Sequence, residues 1–140
     1  MGEGVLTLEG LELRAIAAAV GTPAYVYSAA HVREQYRALD AALAGVPHRI
    51  HYSVKANGNL AVLGLLRSLG AGVDIVSSGE LGRALAAGFG GADVVFSGVG
   101  KTREEMRAAL AAGVGSLNIE SEEELEGLAA GAQGMGCTAP

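Results

Sequence analysis

Lys55 closes the run Arg49-Ile-His-Tyr-Ser-Val-Lys55, a β-branched and aromatic stretch of the length of one strand. Barrel and open-sheet enzymes place their reacting groups at the carboxyl ends of parallel strands. A lysine held there can be partly desolvated, which favours the neutral, nucleophilic amine that condenses with a carbonyl group. Strand alternation puts His51, Ser53 and Lys55 on one face and Ile50, Tyr52 and Val54 on the other. The residues alone leave two readings open: a reactive amine, and a lysine whose ammonium snorkels into solvent from a strand end.

Three other patterns carry less. Ser97-Gly-Val-Gly-Lys-Thr102 follows a strand candidate and opens a helix, the setting of a phosphate-binding loop. The complete pattern needs a glycine five positions before Gly100, where Val95 stands, so the backbone cradle is incomplete and no nucleotide site is expected at Lys101. Gly98-x-Gly100 is no dinucleotide fingerprint either, since Arg103 occupies the place of its third glycine. His48 and His51 lie three apart on an extended segment and point to opposite faces, which is wrong for a shared metal, and no metal site is expected.

These residues need a scaffold, and the chain supplies a repeat. Strands are expected at 24–28, 49–54, 72–76, 93–97 and 116–119, and helices at 29–43, 60–69, 80–87, 103–112 and 122–130, with one more at 11–20. From the second strand on, the starts fall at 49, 72, 93 and 116, in steps of 23, 21 and 23 residues. Gly45, Gly70, Gly88 and Gly113 stand just past helix ends, where left-handed caps are cheapest. Ser77/Glu80, Thr102/Glu105 and Ser121/Glu124 have capping-box spacing, which explains these polar residues structurally. Strands joined by crossover helices run parallel, in an open doubly wound sheet or a closed barrel, and the period does not choose between them.

Composition sets the outer bounds. Half of the 140 residues are apolar, enough for a core, and the net charge of −5 is the wrong sign for a phosphate-backbone binder. The apolar stretch 15–20 is far shorter than the ~20 residues a bilayer span needs, and the first residues lack a signal peptide's basic start. Cys137, the single cysteine, forms no internal disulfide. A cytoplasmic protein with neither membrane nor nucleic-acid partner is expected.

Five segments in order resemble the diaminopimelate decarboxylase family over about residues 21 to 131: Gly21-Thr-Pro-Ala-Tyr-Val-Tyr27, Tyr52-Ser-Val-Lys-Ala-Asn57, Gly72-Val-Asp-Ile-Val-Ser-Ser-Gly-Glu-Leu81, Phe96-Ser-Gly-Val-Gly-Lys-Thr102 and Leu117-Asn-Ile-Glu-Ser121. That family belongs to the pyridoxal-phosphate enzymes with an alanine-racemase-like barrel. Alanine racemases continue after the lysine into a Tyr-Gly-His segment, where this chain has Gly58-Asn59-Leu60.

The resemblance implies an α/β fold: the N-terminal half of a pyridoxal-phosphate-binding (β/α)8 TIM barrel over 29–140, with 1–28 contributing a strand to a β-domain. It implies that Lys55 holds pyridoxal 5'-phosphate and returns a proton to the substrate carbon. Asp74 would lie near the cofactor on the next strand, and Ser78 and Glu80 would help to shape the site. The implied reaction is decarboxylation of meso-2,6-diaminopimelate to L-lysine, by a homodimer acting on a small amino-acid substrate. Two alternatives are another decarboxylase of the fold, acting on ornithine, arginine or carboxynorspermidine, and a non-catalytic pyridoxal-phosphate-binding barrel. In the family, the phosphate-binding glycines, the acidic partner of the pyridine nitrogen and the substrate-recognising residues come later than the matched region. A complete barrel takes roughly 250 residues, so the chain is expected to be an amino-terminal fragment, inactive alone.

Overall fold

Two short strands, β1 (Thr7–Leu8) and β2 (Leu11–Glu12), pair antiparallel around Glu9 and Gly10, both at positive φ, in the computed structural model, which describes residues 4–140. Two consecutive positive φ values are the signature of the tight turn whose twist matches a hairpin. Helix α1 (Leu13–Val20) follows directly, so the helix expected over 11–20 loses its first two residues to β2. Helix α2 (Ala29–Ala42) is capped by Ser28, whose hydroxyl accepts from the His31 N–H. The Glu9 carboxylate accepts from the Ser28 hydroxyl at 2.6 Å and the Ala30 N–H at 2.7 Å, fastening the hairpin to the start of α2. Residues 24–28, expected as a strand, join neither sheet. A strand needs a neighbour for its N–H and C=O groups, and none of the described residues offers one there.

From residue 51 the repeat takes over. Strand β3 (His51–Ser53) is followed by α3 (Leu60–Ser68), β4 (Gly72–Ile75) by α4 (Ser78–Ala86), β5 (Val94–Phe96) by α5 (Arg103–Ala112), and β6 (Ser116–Leu117) by α6 (Glu122–Met135). The sheet order is β3-β4-β5-β6, all parallel. That order decides what the period left open: a doubly wound sheet reverses direction at a switch point, whereas here each strand lies beside the next in sequence, as in a barrel.

The two faces of the sheet differ. Val73, Ile75, Val94 and Phe96 are buried completely, together with Leu63 of α3 and Val54 just after β3. Burying each such side chain contributes roughly 1.5–3 kcal/mol. Their alternates Ser53, Asp74, Val95 and Ser116, aligned in one row by the strand register, are only half-buried. The helices thus cover one face, and the other, which in a barrel faces inward, is polar and open.

Local chemistry explains the helix ends. Gly113 ends α5 in the left-handed conformation, and Gly70 and Gly88 also have positive φ, whereas Gly45 does not. Helix α6 runs to Met135, beyond the expected end at 130, although Gly131 and Gly134 lie inside it. Tertiary packing overrides their low propensity. A Cβ on Gly127 would meet the Met106 methyl at 2.9 Å, and one on Gly131 would touch Leu110, so the missing side chains let α5 and α6 approach closely.

Candidate active site

Lys55 lies in a 3-10 turn, Val54–Ala56, immediately beyond the carboxyl end of β3. The strand stops at Ser53, two residues earlier than strand alternation to Lys55 requires, because Val54 is drawn into the core and the chain turns there. The Lys55 side chain is exposed, and among the described residues it has no ion-pair partner.

The segment after Lys55 is firmly held. The Tyr52 hydroxyl donates to the Asn57 carbonyl at 3.4 Å, and burial pushes that phenol above its ordinary pKa. The Asn57 side chain accepts from the Asn59 N–H, and the Asn59 side chain caps α3 by accepting from the Ala61 N–H. From α4, the Arg83 guanidinium donates to the Gly58 carbonyl at 3.0 Å. Its stem lies across Gly58, where a Cβ would come within 3.1 Å of Arg83 Cδ.

Asp74, on β4, is the centre of a hydrogen-bond relay that crosses all four parallel strands. Ser53 on β3 donates to Asp74 Oδ2 at 2.9 Å, and Ser97, just past β5, donates to Asp74 Oδ1. Asn118, just past β6, donates from Nδ2 to the Ser97 hydroxyl at 3.0 Å. Asp74 is therefore bonded to hydroxyls on both sides, and not to a backbone group or to Lys101. Each carboxylate oxygen takes one donor and keeps lone-pair capacity for another.

Ser78 sits in the first turn of α4 with its side chain exposed, and its N–H donates to Glu105 Oε1 of α5 at 3.2 Å. The three capping-box spacings resolve differently. Thr102 and Glu105 form the reciprocal box. Ser77 and Ser121 cap their helices, but Glu80 accepts from the Val76 N–H, one residue before the cap. Glu124 turns to Lys101, with Oε2 at 2.8 Å from the ammonium and Oε1 accepting from the Lys101 N–H at 2.9 Å. Hydrogen bonding to that ammonium is the main force holding the Glu124 carboxyl at about 2, well below the ordinary carboxylate value. The lysine of the phosphate-loop-like motif is thus committed to a buried ion pair.

His51 lies on the inward face over Gly72, where a Cβ would strike its ring at 2.5 Å, while His48 is turned outward to Asp40 and the Val46 carbonyl. No group of three His, Cys, Asp or Glu residues among the described residues is placed to hold a metal ion.

The model of the family described as "Pyridoxal-dependent decarboxylase, pyridoxal binding domain" matches residues 29–136, which takes in Lys55, the relay and the ion pair. The chain belongs to the pyridoxal-dependent decarboxylases. A curated diaminopimelate decarboxylase from Pseudomonas aeruginosa is 58% identical over 135 residues, covering 96% of this chain and 32% of that protein. The crystal structure of the diaminopimelate decarboxylase of M. jannaschii superposes with a TM-score of 0.93 at 32% identity, over 99% of this chain and 33% of that one. That from Helicobacter pylori, complexed with L-lysine, superposes at 0.87 with 38% identity, over 91% of this chain and 32% of that one. The chain spans about a third of the length of the curated relatives it matches. The architecture is the N-terminal half of the alanine-racemase-like barrel.

Pyridoxal phosphate is the cofactor of the decarboxylase family, and the residues present fit it: a primary amine with no anionic partner among the described residues, just past β3, and on the neighbouring strand β4 a carboxylate held by two hydroxyls on the half-buried face. Sequence reasoning singled out Lys55 and Asp74 of this arrangement and missed Ser53 and Ser97 as Asp74's partners and Asn118 as the donor to Ser97. Their signal was available: in register, Ser53 stands opposite Asp74, while Ser97 and Asn118 each lie two residues beyond the next partner, so all four share one face. Arg83 and the target of Glu124 had no such signal, since both act across separate elements.

Proposed function

We propose that this chain is the amino-terminal, lysine-bearing part of a diaminopimelate decarboxylase, releasing carbon dioxide from meso-2,6-diaminopimelate to form L-lysine. The observation that carries the reading is the position of Lys55, an exposed amine on a short turn at the carboxyl end of the first parallel strand, backed by the high identity to a named diaminopimelate decarboxylase. Lys55 Nζ would hold the cofactor's aldehyde carbon and later carry a proton to the substrate's α-carbon. Pyridoxal phosphate, when bound, supplies a conjugated ring that takes up the electron pair left by departing carbon dioxide. Asp74, braced by Ser53 and Ser97, presents a fixed negative acceptor on the cofactor's side of the sheet, and Ser78 offers a hydroxyl at the mouth of α4. The braced carboxylate needs no reorganisation when the site is filled.

In this reading 29–140 is half of the cofactor barrel and 1–28 belongs with a β-domain. Support for the latter comes from 24–28, whose Tyr25, Val26 and Tyr27 are exposed, Tyr25 to 92%, on backbone that pairs with neither sheet. In this reading the enzyme works as a cytoplasmic homodimer.

Borohydride reduction of the complete protein with pyridoxal phosphate, followed by peptide mapping, tests the assignment. A stable adduct on Lys55 is expected, and label confined to other lysines would remove it. Incubation of the complete protein with diaminopimelate, ornithine, arginine and carboxynorspermidine in turn should give product from the first alone. Turnover of another amino acid instead would move the protein to a different decarboxylase of the fold, and cofactor binding without turnover would make it a carrier.

A further inference from the structure

Lys101 takes no part in the chemistry above, yet it is among the most enclosed charged groups of the chain, with its side chain 1% exposed. All three ammonium protons have partners: the Gly98 carbonyl at 2.6 Å, the Asn118 carbonyl at 2.5 Å and Glu124 Oε2 at 2.8 Å. The Phe96 ring lies 5.9 Å away. Glu124 grips both ends of this lysine and also accepts from the Glu120 N–H, so one carboxylate organises the loops after β5 and β6. The two carbonyls it fixes are significant. Gly98 directly follows Ser97, and Asn118 is the residue whose side chain donates to Ser97, which in turn donates to Asp74.

We propose that Lys101, locked by Glu124, is a positioning residue for the cofactor site: it sets the backbone at Gly98 and Asn118 and thereby aims Asn118 at Ser97 and Ser97 at Asp74. The same three contacts explain why a lysine stands in a motif that lacks the glycine of a phosphate loop. The ammonium is a compact donor at the meeting point of two strand ends, and a guanidinium would be too broad for two backbone carbonyls and a carboxylate at such short range. The inference rests on the cofactor-site reading of Asp74.

The test uses the complete protein, stripped of cofactor and titrated with pyridoxal phosphate, comparing wild type, Lys101→Met, Asn118→Ala and the double variant. Asn118→Ala cuts the relay but keeps the carbonyl that Lys101 holds. Each single variant should weaken cofactor affinity about tenfold, and the double variant should be no weaker than the poorer single one, because both changes break one path. Independent, multiplicative losses would overturn the proposal, as would a Lys101→Met protein that melts earlier yet binds pyridoxal phosphate as wild type does. Should Lys101→Met not fold, Glu124→Gln replaces it with the same expectations. Amide hydrogen exchange on the cofactor-free proteins separates this proposal from the reading beneath it. Faster exchange at 97–101 and 118–121 in the lysine or glutamate variant is required whether or not Lys55 takes the cofactor, and unchanged exchange there overturns the positioning role alone.

Discussion

Arg83 of α4 donates to the carbonyl of Gly58, three residues beyond Lys55, and its stem covers that glycine. The turn bearing the candidate cofactor lysine is thus tied to the helix that follows the next strand. Arg83→Ala should cost about 0.5–1.5 kcal/mol, the net worth of one such bond, and should speed amide exchange at 57–59. Denaturant unfolding and exchange mass spectrometry check both, and unchanged exchange in that loop would show that the turn is held without Arg83.

Asp74→Ala removes the acceptor of two half-buried hydroxyls, Ser53 and Ser97. Leaving such donors unpaired costs about 1–3 kcal/mol. Chemical denaturation should show that loss, and Asp74→Asn, which keeps one acceptor oxygen, should lose less. Equal losses for the two variants would mean that the carboxylate oxygens do not carry the contact.

Glu124 makes stability depend on acid. Its folded value of about 2 lies below its ordinary value of 4.5, chiefly because of the Lys101 hydrogen bond. A carboxyl with a depressed folded pKa contributes fully above its unfolded value, and that contribution is lost as the pH falls from 4.5 toward about 2. Urea midpoints measured across this interval should decline, and Glu124→Gln should decline less over the same range. At neutral pH the substitution breaks one side of a buried pair, for which losses of about 3–5 kcal/mol are typical. A variant as acid-sensitive as the wild type would rule out this pair as the source.

Gly98→Ala places a Cβ 2.5 Å from the Val76 carbonyl and 3.0 Å from the Phe96 ring. The ends of β4 and β5 must then part, at a cost of about 1–3 kcal/mol, as in other overpacked sites. Thermal unfolding should register this, and so should weaker pyridoxal phosphate binding, because Ser97 is adjacent. A wild-type melting temperature would show that the strand ends yield freely.

Much of the scaffold was legible because strand and helix periods differ, and β-branched runs alternated with Ala- and Leu-rich ones at a steady interval. Strand order was not, since Val73 and Phe96 read as core in either an open sheet or a barrel. The β1–β2 hairpin escaped because Glu9-Gly10 is a weaker turn signal than Asn-Gly or Asp-Gly, and each strand holds only two residues. Lys55 was found, but the strand expected to run to Val54 ends at Ser53: Val54 has strong strand propensity, yet it is buried in the first position of the turn that carries Lys55. Capping spacing located the helix starts, whereas Glu80 took the Val76 N–H just ahead of its own cap and Glu124 answered to Lys101 on another segment. A carboxylate takes the best donors within reach, and tertiary structure decides which those are.

The sequential pairing of β3, β4, β5 and β6 also has a kinetic side. Every strand finds its partner about one βα unit earlier in the chain, so no contact in this sheet waits for a distant segment to arrive. Closing such short loops costs little entropy and favours rapid assembly. During synthesis each emerging unit can add to an edge that already exists, so the sheet can grow at the pace of translation, with the lysine's strand serving as the template on which the rest is laid.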